Sequence, residues 1–118
     1  MRPTVLMIDD HDGFRRRARA MLESEGFDVV GEAADGEAGV VAAGRLHPDI
    51  ALVDIGLPGA DGFDVASRLR ADRSAERIVL ISGRNREDYG GRIERSDADG
   101  FIAKAELSGE RLQAILGT

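Results

Sequence analysis

The chain has 118 residues, 42% of them apolar and 32% charged, with a net charge of −6 from 16 basic and 22 acidic side chains. That length predicts one domain around one core, residues 1–118, with no room for an appended DNA-binding helix pair, and the acidic balance argues against direct binding to nucleic acid or to an anionic membrane, since both need a basic surface. The lack of cysteine excludes disulfides, thiolate metal sites and a cysteine nucleophile, no apolar run approaches a membrane span, and Met1-Arg2-Pro3-Thr4 lacks the shape of a signal peptide, which makes the cytoplasm the default expectation.

Strand and helix signals alternate along the chain. Val5 to Ile8 predicts a first strand, ended by Asp9-Asp10. Asp12 is placed to N-cap a helix from about Gly13 to Glu25. In it Phe14, Ala18, Met21 and Leu22 form one apolar stripe, with Arg15, Arg16, Arg17 and Arg19 on solvated faces, and Gly26 ends it. Phe27 to Ala33 predicts a second strand, less uniformly apolar and suited to a sheet edge. Glu32 within it reads as solvated. Asp35 is placed to cap a helix from Gly36 to Leu46, with Ala38, Val41 and Ala42 on one side.

Pro48-Asp49 punctuates before a third strand, Ile50 to Asp54. After a Gly/Pro-rich loop, in which Asp61 reads as solvated, a helix from about Gly62 to Ala71 is expected to bury Phe63, Ala66 and Leu69. Ile78 to Ile81 predicts a fourth strand, ended by Ser82. The segment Asn85 to Ser96 contains Tyr89-Gly90-Gly91. Each glycine costs a helix about 1 kcal/mol, so it reads as a short, loosely held helix. Gly100 to Ala103 predicts the fifth strand, ended by Lys104. Ser108 is placed to cap a last helix with Leu112, Ile115 and Leu116 inward.

Five βα units with near-continuous apolar central strands imply an α/β fold, a doubly wound five-stranded parallel sheet in a three-layer sandwich. The expected order is 2-1-3-4-5, because the first, third and fourth runs are the most apolar and so belong in the centre. In such a sheet ligands bind outside the carboxyl ends of the strands. Asp9, Asp10, Asp54, Ser82 and Lys104 all stand at those ends. Three carboxylates there need a cation or a shifted pKa, and Mg²⁺ fits a site of few carboxylates plus waters and phosphate oxygens. Ser82 offers a hydroxyl to a phosphate oxygen and Lys104 a point charge to Asp54 or to a phosphate on it. His11 reads as a loop residue, since hard cations prefer oxygen donors.

In combination, Asp9-Asp10, Val53-Asp54 through Asp61-Gly62, Ile81-Ser82-Gly83 and Asp99-Gly100-Phe101-Ile102-Ala103-Lys104 resemble the receiver domain of two-component response regulators, the CheY-like family. The resemblance covers essentially the whole chain. Ile8-Asp9-Asp10-His11 and Ala103-Lys104-Ala105-Glu106-Leu107 are similar to receivers attached to LuxR- or NarL-type output domains. It implies that Asp54 accepts a phosphoryl group from a sensor histidine kinase or a histidine phosphotransfer protein. It implies that Asp10, Asp54 and the Gly56 carbonyl hold Mg²⁺, with Asp9 acting through a bound water, and that Ser82 and Lys104 contact the phosphoryl oxygens. Phe101 is then the switch aromatic that turns inward as Ser82 moves, signalling to an output domain or protein. Such a chain is no enzyme beyond its own phosphorylation and dephosphorylation. The loop after Ser82 and the Tyr89-Gly90-Gly91 segment are the expected two-state element.

The chain departs from the family pattern in three places. Ala105 follows Lys104 where many receivers have proline, which predicts either a trans bond with a shifted lysine or a strained cis bond. Gly56 and Arg84 stand two residues past Asp54 and Ser82, on the path of the attacking water. Three alternatives share features with this reading. A haloacid-dehalogenase-like phosphatase would need a second Asp where Gly56 stands, and room for a cap. A flavodoxin-like electron carrier would need a phosphate-cradling loop where Asp9-Asp10 stand. A receiver-fold scaffold without phosphorylation stays open, as does homodimerisation through the last two βα units.

Overall fold

A computed structural model describes residues 2–117. Five strands, β1 (Thr4–Ile8), β2 (Asp28–Ala33), β3 (Ile50–Asp54), β4 (Arg77–Ser82) and β5 (Gly100–Ala103), form one sheet. Its order is β2-β1-β3-β4-β5, with every pairing parallel, as the apolar grading of the strands predicts. Four helices cover it: α1 (Asp12–Ser24), α2 (Gly36–Leu46), α3 (Gly62–Asp72) and α4 (Gly109–Leu116).

Alternate strand residues feed two separate cores. On β1, Leu6 and Ile8 pack with Ala43 of α2 and Val65, Ala66 and Leu69 of α3. Val5 and Met7 pack on the other face with Ala18 and Leu22 of α1 and Leu112 of α4. A central strand is therefore buried on both sides, and β3 is buried along its whole length. Burying each large aliphatic side chain contributes about 1.5–3 kcal/mol, which is why these strands read as unbroken apolar runs.

Asp35 and Ser108 cap their helices as expected, accepting from Ala38 N at 2.8 Å and from Arg111 N at 3.2 Å. Several local expectations are corrected. His11, not Asp12, precedes α1, and its side chain makes no cap hydrogen bond. Asp12 lies in the first turn, where it meets Arg15. The inner face of α2 is Gly36, Gly39 and Ala43, whereas Ala38 and Val41 are exposed. A Cβ on Gly39 would stand 2.6 Å from Ile8 Cδ1, so the helix approaches β1 through two glycines and one methyl group, too little apolar side chain to mark a stripe. On α3, Val65 takes the buried place and Phe63 is only half-buried, against Tyr89.

The segment after β4 is not an α-helix. It holds one 3-10 turn, Arg86–Tyr89, followed by further turns, with Gly90 at φ 57°. Adjacent glycines leave too little propensity for a full helix. Two charge assignments also change. Arg15 and Arg19 converge on Glu32, Arg15 Nε at 2.8 Å, so these groups are paired and not simply solvated. Asp61 caps α3 by accepting from Asp64 N at 3.0 Å and faces Arg92 at 3.3 Å. The Lys104–Ala105 bond is trans.

Candidate functional site

Because the strands are parallel, their carboxyl ends share one rim. Asp9 follows β1, Asp54 ends β3, Ser82 ends β4 and Lys104 follows β5. Asp9, Asp54 and Ser82 are buried, while Asp10 stands exposed at the mouth. A cavity of about 930 Å³ opens over Asp54 and Ser82, lined also by His11, Phe14 and Lys104 among others.

Asp54 sits there because its backbone is pinned. Its amide neighbour Ile55 donates to Ile81 O of β4 at 2.9 Å, and Gly62 N donates to Ile55 O at 2.9 Å. Gly62 lies flat against the Asp54 carbonyl, and a Cβ there would meet Ile55 Cα at 2.6 Å. The side chain then points into the cavity. Asp54 Oδ1 accepts from Gly56 N at 3.2 Å. Its Oδ2 is buried, as is Asp9 Oδ2, and both face the Lys104 ammonium. Lys104 Nζ stands 2.7 Å from Asp9 Oδ2 and 3.5 Å from Asp54 Oδ2. Its ammonium also lies 4.6 Å from the centre of the Phe14 ring, a cation–π contact. The trans Lys104–Ala105 bond thus still delivers the amine to the site, closer to Asp9 than to Asp54.

Burial raises the pKa of Asp54, and the charge of Asp9 and, to a smaller extent, Asp10 adds to the rise. Lys104 and the Gly56 amide act in the opposite sense but do not cancel it. Asp9, Asp10, His11 and Asp54 each bring a ligand atom within 4.8 Å of the others. Two buried carboxylates and Asp10 carry more negative charge than one ammonium balances, and hard oxygen donors so placed fit a divalent cation, so the residues present suit Mg²⁺.

Ser82 Oγ accepts from Arg84 N at 3.0 Å and is hydrogen-bonded to the Tyr89 hydroxyl. Tyr89 comes from the 3-10 turn, and its ring stands 6.2 Å from Phe101 and 6.1 Å from Phe63. Phe101 is half-buried at the end of this aromatic row. The structure thus brings together Asp9, Asp10, Asp54, Ser82 and Lys104, places Gly56 beside Asp54, and connects Phe101 to Ser82 through Tyr89. Sequence reasoning missed two members. His11 reads from sequence as a loop residue, although its place beside the acidic pair is the available signal. Tyr89 carried no spacing signal at all.

A parallel sheet with this rim of carboxylates, hydroxyl and amine is the architecture of a two-component receiver, and the acidic pocket is consistent with a phosphorylation site. Residues 5–116 match the family described as the response regulator receiver domain, and the chain belongs to it. It is thus a signal-transduction receiver and not a catalytic enzyme, and its acidic cluster is of the kind that binds Mg²⁺ in such domains.

Its relatives include regulators of the NarL and LuxR families. It is 36% identical over 110 residues to the virulence-factor transcription regulator BvgA of Bordetella pertussis, covering 93% of this chain and 53% of that protein. It is 34% identical over 113 residues to the nitrate/nitrite response regulator NarL of Escherichia coli K12, covering 95% and 52%. The signal receiver domain of a NarL response regulator from Mycobacterium tuberculosis superposes with a TM-score of 0.84 at 32% identity, covering 99% of this chain and 98% of that one. The chain spans about half the length of the curated relatives it matches. Among the described residues no helix is long and apolar enough to cross a membrane.

Proposed function

We propose that residues 1–118 act as one receiver domain that takes a phosphoryl group onto Asp54 from the phosphohistidine of a sensor histidine kinase or a histidine phosphotransfer protein. The observation that carries this reading is the buried Asp54 Oδ2, which faces an open cavity and lies 3.5 Å from Lys104 Nζ. In the transfer the phosphorus–nitrogen bond of the donor breaks, a phosphorus–oxygen bond to Asp54 forms, and the imidazole leaves with the electron pair. Such a transfer needs positioning and charge compensation more than covalent help. Lys104 contributes a fixed positive charge, and Ser82 contributes a hydroxyl once it parts from Tyr89. Asp10, Asp54 and the Gly56 carbonyl would hold Mg²⁺, with Asp9 reaching it through water. The ion, when bound, supplies positive charge at the phosphoryl oxygens.

The switch then runs from Ser82 to Phe101, and the output is a further domain or a separate protein. A cytoplasmic location follows from a kinase partner. The net charge of −6 disfavours direct contact with nucleic acid or an anionic membrane. Intact-mass analysis after incubation with acetyl phosphate, with and without Mg²⁺, tests the reading on the wild type and on Asp54→Ala. A Mg²⁺-dependent gain of one phosphoryl group, lost in the variant, is expected. No gain, together with no binding of beryllofluoride, would leave a receiver fold used as a scaffold.

A further inference from the structure

Lys104 is the sole lysine among the 16 basic side chains of this chain. It follows β5, an edge strand, whereas Asp9 follows β1 and Asp54 ends β3, on the far side of β4. A lysine stem is flexible and costly in entropy to hold still, so the resting place of the ammonium depends on what faces it.

The charged groups face it unequally. Asp9 Oδ2 stands at 2.7 Å and Asp54 Oδ2 at 3.5 Å, with His11 Nδ1 at 3.3 Å. On these contacts alone the amine belongs to Asp9 and not to the phosphoacceptor. Phe14 is the uncharged partner. Its ring centre lies 4.6 Å from Nζ, inside the roughly 6 Å over which a ring face attracts a cation.

Two arginines make similar contacts, Arg86 with Phe101 at 5.6 Å and Arg92 with Phe63 at 4.3 Å. Their side chains are 45% and 55% exposed, so water competes for the charge. The Lys104 side chain is only 15% exposed, and a cation–π contact strengthens as water is excluded. The core uses only part of the Phe14 ring. Ala18 and Leu22 on the same stripe of α1 are buried, whereas Phe14 is half-buried and lines the cavity together with Lys104 and Asp54.

A ring face also differs in kind from a carboxylate. It takes up none of the three N–H donors of the ammonium. It attracts over its whole face, so the ammonium can shift across it and keep the contact. Every donor stays available to an oxygen that arrives at Asp54.

We propose that Phe14 is a positioning residue for Lys104, whose ring face offsets the pull of Asp9 and keeps the ammonium within reach of phosphoryl oxygens on Asp54. The proposal rests on the receiver reading above and deepens it.

The test varies the charge distribution of the ring and little else. Monofluoro-, trifluoro- and pentafluorophenylalanine are placed at position 14 of the whole chain. Each added fluorine draws electron density from the face while the size of the side chain hardly changes. Beryllofluoride affinity in saturating Mg²⁺ is measured by calorimetry. It is expected to fall stepwise, by about tenfold in all for the pentafluoro ring. In the Lys104→Met background the same series should stay within about twofold, because a double-mutant cycle isolates the pair. Phe14→Leu keeps an apolar side chain and should match the pentafluoro form. With isotope-labelled lysine the chain gives a single Cε signal by NMR, and Phe14→Leu should remove the ring-current shift of its protons.

Equal affinity along the fluorinated series would overturn the proposal. A fall of the same size in the Lys104→Met background would overturn it too, since Phe14 would then act through packing alone. Either result leaves beryllofluoride binding by the wild type, and with it the receiver reading, standing. Wild-type protein that binds no beryllofluoride would overturn both.

Discussion

Tyr89 holds Ser82 by a hydrogen bond between their hydroxyls, and the same tyrosine ring lies 6.2 Å from Phe101. The hydroxyl expected to meet a phosphoryl group is therefore already engaged, and its partner belongs to the weakly structured segment after β4. A movement of Ser82 towards Asp54 has to break this bond, which couples the site to the 3-10 turn and to the aromatic row.

Tyr89→Phe keeps the ring between Phe63 and Phe101 and removes only the hydroxyl. A net hydrogen bond contributes about 1 kcal/mol. Unfolding in urea should show a loss of that order, and beryllofluoride should bind about fivefold more tightly, because Ser82 no longer has to leave a partner. Fluorine NMR titration measures the second effect. Unchanged beryllofluoride affinity would mean that Ser82 does not move on activation.

Lys104→Met removes the ammonium that stands 2.7 Å from Asp9 and 3.5 Å from Asp54. Its two consequences have opposite signs. A divalent cation no longer competes with the amine, so Mg²⁺ should bind severalfold more tightly in calorimetry. The phosphoryl oxygens lose their fixed positive charge, so beryllofluoride binding should fall by about tenfold or more. Parallel changes in the two affinities would count against lysine as a phosphoryl contact.

Asp54→Asn tests the electrostatic strain of the pocket. Burial, with Asp9 next, raises the Asp54 pKa in the folded protein. The unfolded chain gives up this proton more readily, so ionisation favours unfolding. The folded state is least penalised below the ordinary carboxylate pKa and loses stability as pH rises through the raised value. At pH 7 without metal, Asp54→Asn should therefore melt a few degrees above the wild type, and the gap should close as the solution is acidified below about pH 4. Mg²⁺ should raise the melting temperature of the wild type more than that of the variant. A variant less stable than the wild type at pH 7 would show that Lys104 outweighs burial.

Gly62 and Gly44 make opposite predictions from the same substitution. A Cβ on Gly62 would run into the Asp54 carbonyl and the Ile55 backbone, whereas nothing lies within 4 Å of a Cβ on Gly44 in α2. Gly62→Ala should cost about 2–3 kcal/mol, since backbone has to shift, and should weaken Mg²⁺ binding by displacing Asp54. Gly44→Ala should stabilise the protein by about 0.5–1 kcal/mol and leave Mg²⁺ binding alone. Chemical denaturation of the two variants side by side decides this.

The sequence by itself determined the alternation of strands and helices, the sheet order and the five groups at the strand ends. Each follows from a local signal that burial on two faces writes into the chain, namely apolar runs such as Ile50 to Val53, closed by one polar residue at the rim. Tertiary structure alone decided the contacts that have no periodicity. Gly39 faces the core because Ile8 leaves it no room for a side chain. Arg15, Arg19 and Glu32 meet only because α1 lies over β2. Tyr89 reaches Ser82 because a chain too rich in glycine for a helix turns back over the end of β4. His11 enters the acidic cluster because β1 and β3 bring Asp9 and Asp54 to the same depth. A hydropathy pattern reports whether a residue is buried, but the partner of a polar group depends on the distance between elements, and only packing sets that distance.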